Sequence, residues 1–282
     1  MILPFNLGRF FRRPRDVSCY FLTGTGRCGT MLLSRILSAG SDSHCNHEHS
    51  ITTSKMKEAY YTGDFIELNK EVEAVIAPVV KKHNDGGRSY GECSGHLYFV
   101  LEEIYRVFGM STRFALITRR PDEFVRSALA RGFFDSSHPH GLEHLRPNPA
   151  DPVGAKWAEM SPVEKCLWYW TFVNETTLAT FRGFDPGISR VVRMEDITVD
   201  LCRDLYQFFG IDGFNVAKVA DLLEVRINAS PGIAASAELN PWSQNITLPP
   251  ASQWPESYRL AARRYLGPTA LDLYPEISNL MD

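Results

Sequence analysis

Residues 19–33 read CYFLTGTGRCGTMLL, and the fold is decided there. Cys19 to Thr23 form an apolar run of buried-strand length. A glycine-rich turn follows, Gly24-Thr25-Gly26-Arg27-Cys28-Gly29, and opens at Thr30-Met31-Leu32-Leu33 into a helix with apolar periodicity. Glycines let the backbone curl so that successive N–H groups face inward, and a helix N-terminus adds about half a positive charge. The turn therefore predicts a phosphate cradle. Arg27 and the Thr30 hydroxyl sit inside it, where a phosphate would lie.

Outward from this turn, strand-length apolar runs alternate with longer amphipathic stretches, and there is no internal repeat. The clearest further strands are Phe114–Thr118 (FALIT) and Arg190–Arg193 (RVVR), with a weaker one ending near Gly91. Helices are predicted to begin near Thr30, Leu97, Asp122 and Asp196. A long one over Pro162–Phe181 carries Trp168, Tyr169 and Trp170 as core aromatics, and a last one spans Glu256–Tyr265. This alternation predicts an α/β fold: a three-layer sandwich with a central parallel sheet and the P-loop-like turn at its carboxyl edge. Residues 1–17 are expected to be a tail and 18–282 one domain. Proline and glycine around His138, His140 and His144 make residues 135–160 a long loop or lid, and Asn228 to Pro255, with Trp242, is a second irregular stretch.

The chain has 282 residues, 44% hydrophobic and 22% charged, which excludes disordered and fibrous classes. A net charge of -3 gives no footprint for nucleic acid, so an anion site must be built from local arginines. The apolar N-terminal residues precede the basic ones, the reverse of a secretory signal, and no apolar run approaches the roughly 20 residues of a membrane span. Six scattered cysteines contain no C-x-x-C pair. The expectation is a cytoplasmic chain with no integral membrane association and no disulfide framework.

Against the nucleotide pattern G-x-x-x-x-G-K-[ST], Gly24 and Gly29 match, but Thr30 replaces the lysine and Met31 the magnesium-binding hydroxyl. Where an ATPase needs an acidic residue at the end of a neighbouring strand, the FALIT strand ends in Arg119-Arg120-Pro121. Arginines there bind more phosphate. A small-molecule or nucleoside kinase with a degenerate loop, dependent on magnesium, and a non-catalytic nucleotide-binding protein stay as competing readings.

At these residues the chain resembles the sulfotransferases that use 3′-phosphoadenosine 5′-phosphosulfate. Their 5′-phosphosulfate loop is similar to Gly24–Leu33, with Arg27 where the family has lysine or arginine. Their second motif, a strand-ending arginine followed eight residues later by a helical serine, resembles Arg119 to Ser127. Val191 to Ile197 resembles a later strand leading into a helix, where Glu195 or Asp196 is expected to satisfy helix N-terminal donors. The resemblance runs from about Cys19 to Gly210. Beyond it, only Asn240-Pro241-Trp242 sits where relatives cover the nucleotide.

The resemblance implies transfer of a sulfuryl group to a hydroxyl, amine or carbamoyl group of a small-molecule acceptor, releasing adenosine 3′,5′-bisphosphate, with no metal required. It implies that Thr25, Gly26, Arg27, Cys28, Gly29, Thr30 and Met31 hold the 5′-phosphosulfate, Arg119 and Ser127 the 3′-phosphate, and Arg27 the leaving-group charge. A homodimer is allowed. Three residues compete for the acceptor proton. Glu48 is first, because Ser43 to His49 should end the second strand at the carboxyl edge and bacterial relatives have a glutamate there. Glu92 matches a glutamate in carbohydrate sulfotransferases, although it also suits a cap for the helix near Leu97. His96 matches the histidine of cytosolic relatives.

His47 or His49 is expected to contact the acceptor. His44, Cys45, His47 and His49 are dense enough for a metal, but strand alternation puts His47 and His49 with Cys45 on one face and His44 with Glu48 on the other, so none is assigned. Cys28, at a helix start, is a lesser candidate for a thiolate.

Overall fold

The computed structural model describes residues 17–49, 51–137, 141, 143–224 and 248–281. Five parallel strands form one sheet: β1 (Cys19–Gly24), β2 (Ser43–His47), β3 (Ser89–Ser94), β4 (Thr112–Thr118) and β5 (Ser189–Arg193), in the order β2-β3-β1-β4-β5. The helices between them are α1 (Thr30–Leu37), α2 (Ser54–Thr62), α3 (Phe65–Asp85), α4 (Leu101–Phe108), α5 (Pro121–Leu129), α6 (Pro152–Ala155) and α7 (Pro162–Arg182). After β5 come α8 (Val199–Phe209), α9 (Val216–Glu224), α10 (Glu256–Tyr265), α11 (Pro268–Leu273) and α12 (Ser278–Met281). Among the described residues no helix is long and apolar enough to cross a membrane.

Side chains alternate along each strand, so the sheet buries two separate apolar faces. Cys19 and Phe21 of β1 and Phe114 of β4 pack with α2, α3, α4, α5, α7 and α10. Tyr20, Leu22, Ala115 and Ile117 pack on the opposite face with α1, α8 and α9. This is the expected three-layer α/β arrangement. Because α1 leaves β1 for one face and α4 leaves β3 for the other, a crevice opens at the carboxyl ends of the central strands.

Several elements differ from the sequence expectation. Gly91 does not end its strand. It lies inside β3, because the Tyr20 ring crosses it so closely that a Cβ there would come within 2.2 Å of the ring. The helix expected near Leu97 starts at Leu101, since residues 95–100 are spent in turns that pass over the phosphate loop. Met194–Asp196 forms only a single 3-10 turn, and α8 starts at Val199 with the Thr198 hydroxyl accepting from the N–H of Leu201 at 3.2 Å. Glu195 instead receives the Arg120 N–H (2.9 Å) and the Tyr274 hydroxyl (3.0 Å), tying the C-terminal segment to the end of β4. Asp196 sits 3.6 Å from the Arg193 guanidinium. Helices α2 and α3 fill a region that periodicity left unassigned.

Candidate active site

The loop after β1 is curled by three residues in the left-handed region, Gly26 (φ 69°), Arg27 (φ 54°) and Gly29 (φ 92°). Glycine adopts this conformation without cost, whereas Arg27 is held there against its preference. The curl turns N–H groups toward one centre. Gly29 is the N-cap of α1 and offers no side chain to its N–H groups, so these also stay available to an anion. The turn after β3 presses on this loop: a Cβ on Gly95 would lie 3.0 Å from the Gly26 nitrogen.

Two distant parts of the sequence meet here. Arg27 Nε donates to Ser127 Oγ of α5 at 3.0 Å, and Arg119 Nη1 donates to the Arg27 carbonyl at 3.0 Å. Arg119 also reaches Glu123 Oε2 at 3.2 Å, and Trp170 Nε1 fixes the Arg119 carbonyl at 2.8 Å. Burial pulls the Arg27 guanidinium down to about 10, with the positive charges of Arg131 and Arg119 acting in the same direction. It stays charged at neutral pH, so cations converge on one pocket, an arrangement that favours a polyanion. Arg131, two residues past the end of α5, belongs to no sequence motif. Its only sequence signal is a basic residue shortly after the motif serine.

Beside the loop stands the end of β2. His47 Nε2 lies 3.1 Å from the Thr30 hydroxyl at the start of α1. The strand stops there, so its alternation does not extend to Glu48 and His49 as the sequence suggested. Glu48 has φ 53° and is exposed, with its N–H bonded to the Cys93 carbonyl at 3.2 Å. Burial lowers the proton affinities of Arg27, His47 and His96, and the Glu48 carboxylate partly offsets this in all three. His96 follows β3 and stacks on His144, ring centroids 5.4 Å apart, and His144 stacks on Phe133 at 3.7 Å.

Glu92 is fully buried and accepts the Tyr90 hydroxyl at 2.7 Å and the His49 N–H at 3.1 Å. Burial pushes its carboxyl up, against the pull of those two donors. It does not cap α4, whose N-cap is Val100. His49 itself is exposed. Cys28 is fully buried and burial pushes its thiol up to about 11, which removes the thiolate reading.

His44 turns away from the loop to stack on His83 at 4.5 Å, and Cys45 Sγ lies 3.6 Å from Cys93 Sγ. Among the described residues no three His, Cys, Asp or Glu side chains converge as metal ligands. His138, His140 and Asn240-Pro241-Trp242 lie outside the described residues.

The segment read as a lid is fastened to α2. Lys57 Nζ donates to the Glu143 carbonyl at 2.9 Å, and the Tyr61 hydroxyl donates to the Arg146 carbonyl at 2.8 Å while accepting its N–H at 2.6 Å. His144 between them is thereby turned inward toward His96.

Burial lowers the pKa of both His47 and His96, partly offset by Glu48. The unfolded chain therefore takes up these protons first, near the ordinary value of about 6.5. Stability contributed by the two neutral rings is present above that value, and it is lost as pH falls through it toward the folded-state values. Urea unfolding from pH 8 to 5 should show this decline, and His96→Asn should flatten it. An equally steep decline in the variant would remove His96 from the effect.

No family model matches the sequence, and no curated protein matches it. Among solved structures, the chain is similar to a sulfotransferase domain from the Synechococcus PCC 7002 olefin synthase, at 14% identity and TM-score 0.49, covering 92% of this chain and 99% of that one. It is similar to a sulfotransferase domain from the curacin biosynthetic pathway at 13% identity and TM-score 0.49, covering 76% and 80%. A sulfotransferase from Alicyclobacillus acidocaldarius shows 16% identity and TM-score 0.48, covering 93% and 98%.

Proposed function

We propose that the chain transfers a sulfuryl group from 3′-phosphoadenosine 5′-phosphosulfate to a hydroxyl, amino or carbamoyl group of a small-molecule acceptor, releasing adenosine 3′,5′-bisphosphate. The observation that carries this reading is the bond from Arg27 Nε to Ser127 Oγ, together with the bond from Arg119 to the Arg27 carbonyl. It joins a phosphate loop to the arginine–serine motif that resembles a 3′-phosphate site. The residues fit the donor. The curled backbone and the capless start of α1 suit one phosphate group, and Arg119 and Ser127 lie beside it for a second.

When bound, the donor supplies an activated sulfuryl group. The N–H groups of Gly26 to Met31, with Thr30, hold its 5′ end. Arg27 keeps a positive charge where negative charge gathers on departure. Glu48 accepts the acceptor proton, and its exposure lets an acceptor reach it. His47 orients Thr30, while His96 and His144 line the side under the α2-bound segment, where the acceptor is received. A magnesium-dependent kinase would need a hydroxyl at Met31, which has none, and the Thr30 hydroxyl is engaged with His47.

A thermal-shift titration without magnesium tests the reading and needs no acceptor. Adenosine 3′,5′-bisphosphate at a hundred times its dissociation constant should stabilise the chain by about 2.7 kcal/mol. ADP should stabilise it far less. A rise with magnesium-ATP and none with the bisphosphate would replace the proposal with a kinase.

A further inference from the structure

Glu92 matches a residue that serves as base in some sulfotransferases, yet its surroundings suit a different task. Its carboxylate lies on β3, opposite Asn46 of β2 in the strand register, with no exposure to solvent. One oxygen accepts the Tyr90 hydroxyl from two residues back on the same strand. The other accepts the backbone N–H of His49, the residue that follows Glu48. Glu48 is in the left-handed region, which a residue with a Cβ occupies only when its surroundings over-determine it.

Two backbone bonds flank that strained residue. The Glu48 N–H is held by the Cys93 carbonyl and the His49 N–H by the Glu92 side chain, both from β3. The first is part of the strand ladder and any residue would supply it. The second depends on an acceptor of one length at one position.

We propose that Glu92 is a positioning residue: its carboxylate, braced by Tyr90, pins the His49 N–H and so locks the left-handed turn at Glu48, which sets where the Glu48 carboxylate stands. The inference rests on the proposed sulfuryl transfer only for the catalytic readout; the pinning of the turn stands apart from it. A glutamine at 92 offers the same carbonyl acceptor to His49, and its NH2 can donate to Tyr90, whose hydroxyl then acts as acceptor. A proton-accepting carboxylate has no such substitute. The two roles therefore separate cleanly in one conservative variant.

The experiment compares wild type, Glu92→Gln, Glu92→Ala and Tyr90→Phe by hydrogen exchange at the His49 amide, without any ligand, and then by transfer kinetics. Exchange at His49 should rise about tenfold or more in Glu92→Ala, because the part-buried bond to the carboxyl oxygen is lost, and rise less in Tyr90→Phe. It should stay near wild type in Glu92→Gln. In transfer, Glu92→Ala should lose about 10–100-fold in kcat with the KM for the donor within about threefold, since the base is mis-set and the phosphate pocket is untouched. Glu92→Gln should retain turnover within about fivefold.

Abolition of turnover in Glu92→Gln with the His49 amide still protected would overturn the proposal, because Glu92 would then move the proton itself. Wild-type protection in Glu92→Ala would also overturn it. Tyr90→Phe leaves Glu92 and its bond to His49 in place, so it gives a reading even if Glu92→Ala fails to fold: unchanged exchange and unchanged kcat there would remove the brace. If exchange behaves as expected but wild type transfers nothing, the pinning of the turn is supported and only the sulfotransferase reading falls.

Discussion

Replacing Glu48 by glutamine should lower the proposed sulfuryl-transfer turnover by about 10²–10⁴-fold, the range for loss of a positioned general base. Glutamine matches the shape and keeps the backbone bonds that hold the turn at 48, the Glu48 N–H to Cys93 and the His49 N–H to Glu92. Stabilisation by adenosine 3′,5′-bisphosphate should therefore persist in this variant, which separates loss of chemistry from loss of binding. The pH profile supplies a second check: the limb reporting deprotonation of the base in wild-type kcat/KM should vanish in Glu48→Gln. Turnover within fivefold of wild type would move the role to His96, whose lowered pKa keeps it neutral and able to accept a proton at pH 7.

The second large effect is at Arg119, where alanine removes a side chain that touches both the phosphate loop and α5. A hydrogen bond to a charged group contributes roughly 1.5–3 kcal/mol, so affinity for the bisphosphate should fall by about 10–150-fold. Calorimetric titration checks this, and the comparison with ADP decides its meaning. ADP lacks the 3′-phosphate and should lose less than about threefold if its other contacts are intact. Equal losses for the two nucleotides would show that Arg119 supports the loop through the Arg27 carbonyl and does not read the 3′-phosphate. Ordinary reasoning about surface ion pairs gives little weight to the Arg119–Glu123 contact, but here the guanidinium is mostly shielded, with 20% of its side-chain surface exposed.

What could be read from sequence was what is local. The glycine spacing from Gly24 to Gly29 fixes a turn within a few residues, and β1 and β4 announce themselves as continuous apolar runs because both of their faces are buried. The helix over residues 162–182 shows its capping box, Ser161 with Glu164, at its start. Glycine misled where its reason was packing: Gly91 looks like a strand end, and only the Tyr20 ring across it explains why it is not one. Helices α2 and α3 carried local signals in the Thr53 and Asp64 caps, but Gly63 and Pro78 break the period between and within them.

The site divided in the same way. Arg27, Arg119 and Ser127 were found as separate motifs, yet their direct contact exists only because β1 and β4 are neighbours. Glu92 was weighed as a base or a helix cap. Its bond to the His49 N–H follows from the pairing of β2 with β3, which no short window of sequence contains. Arg131 and His144 belong to no motif and reach the pocket by tertiary packing alone.

The place of β1 in the sheet has a consequence for how the chain is made. Its neighbours are β3 and β4, and Cys19 meets Thr112 across a separation of 93 residues. At about 5–20 residues per second, a ribosome needs roughly 5–20 s to deliver that second neighbour. Until then β1 can pair only with β3, so one of its edges stays open and the apolar side chains Tyr20 and Leu22 on one face and Phe21 on the other are incompletely covered, a target for chaperones. Arg119 and Ser127 emerge directly after β4, so the residues proposed to hold the 3′-phosphate follow at once the strand that gives β1 its second neighbour. A stalled chain ending before residue 112 should therefore retain no nucleotide, whereas one extended past α5 carries β1 between both its neighbours together with the residues proposed to hold the donor.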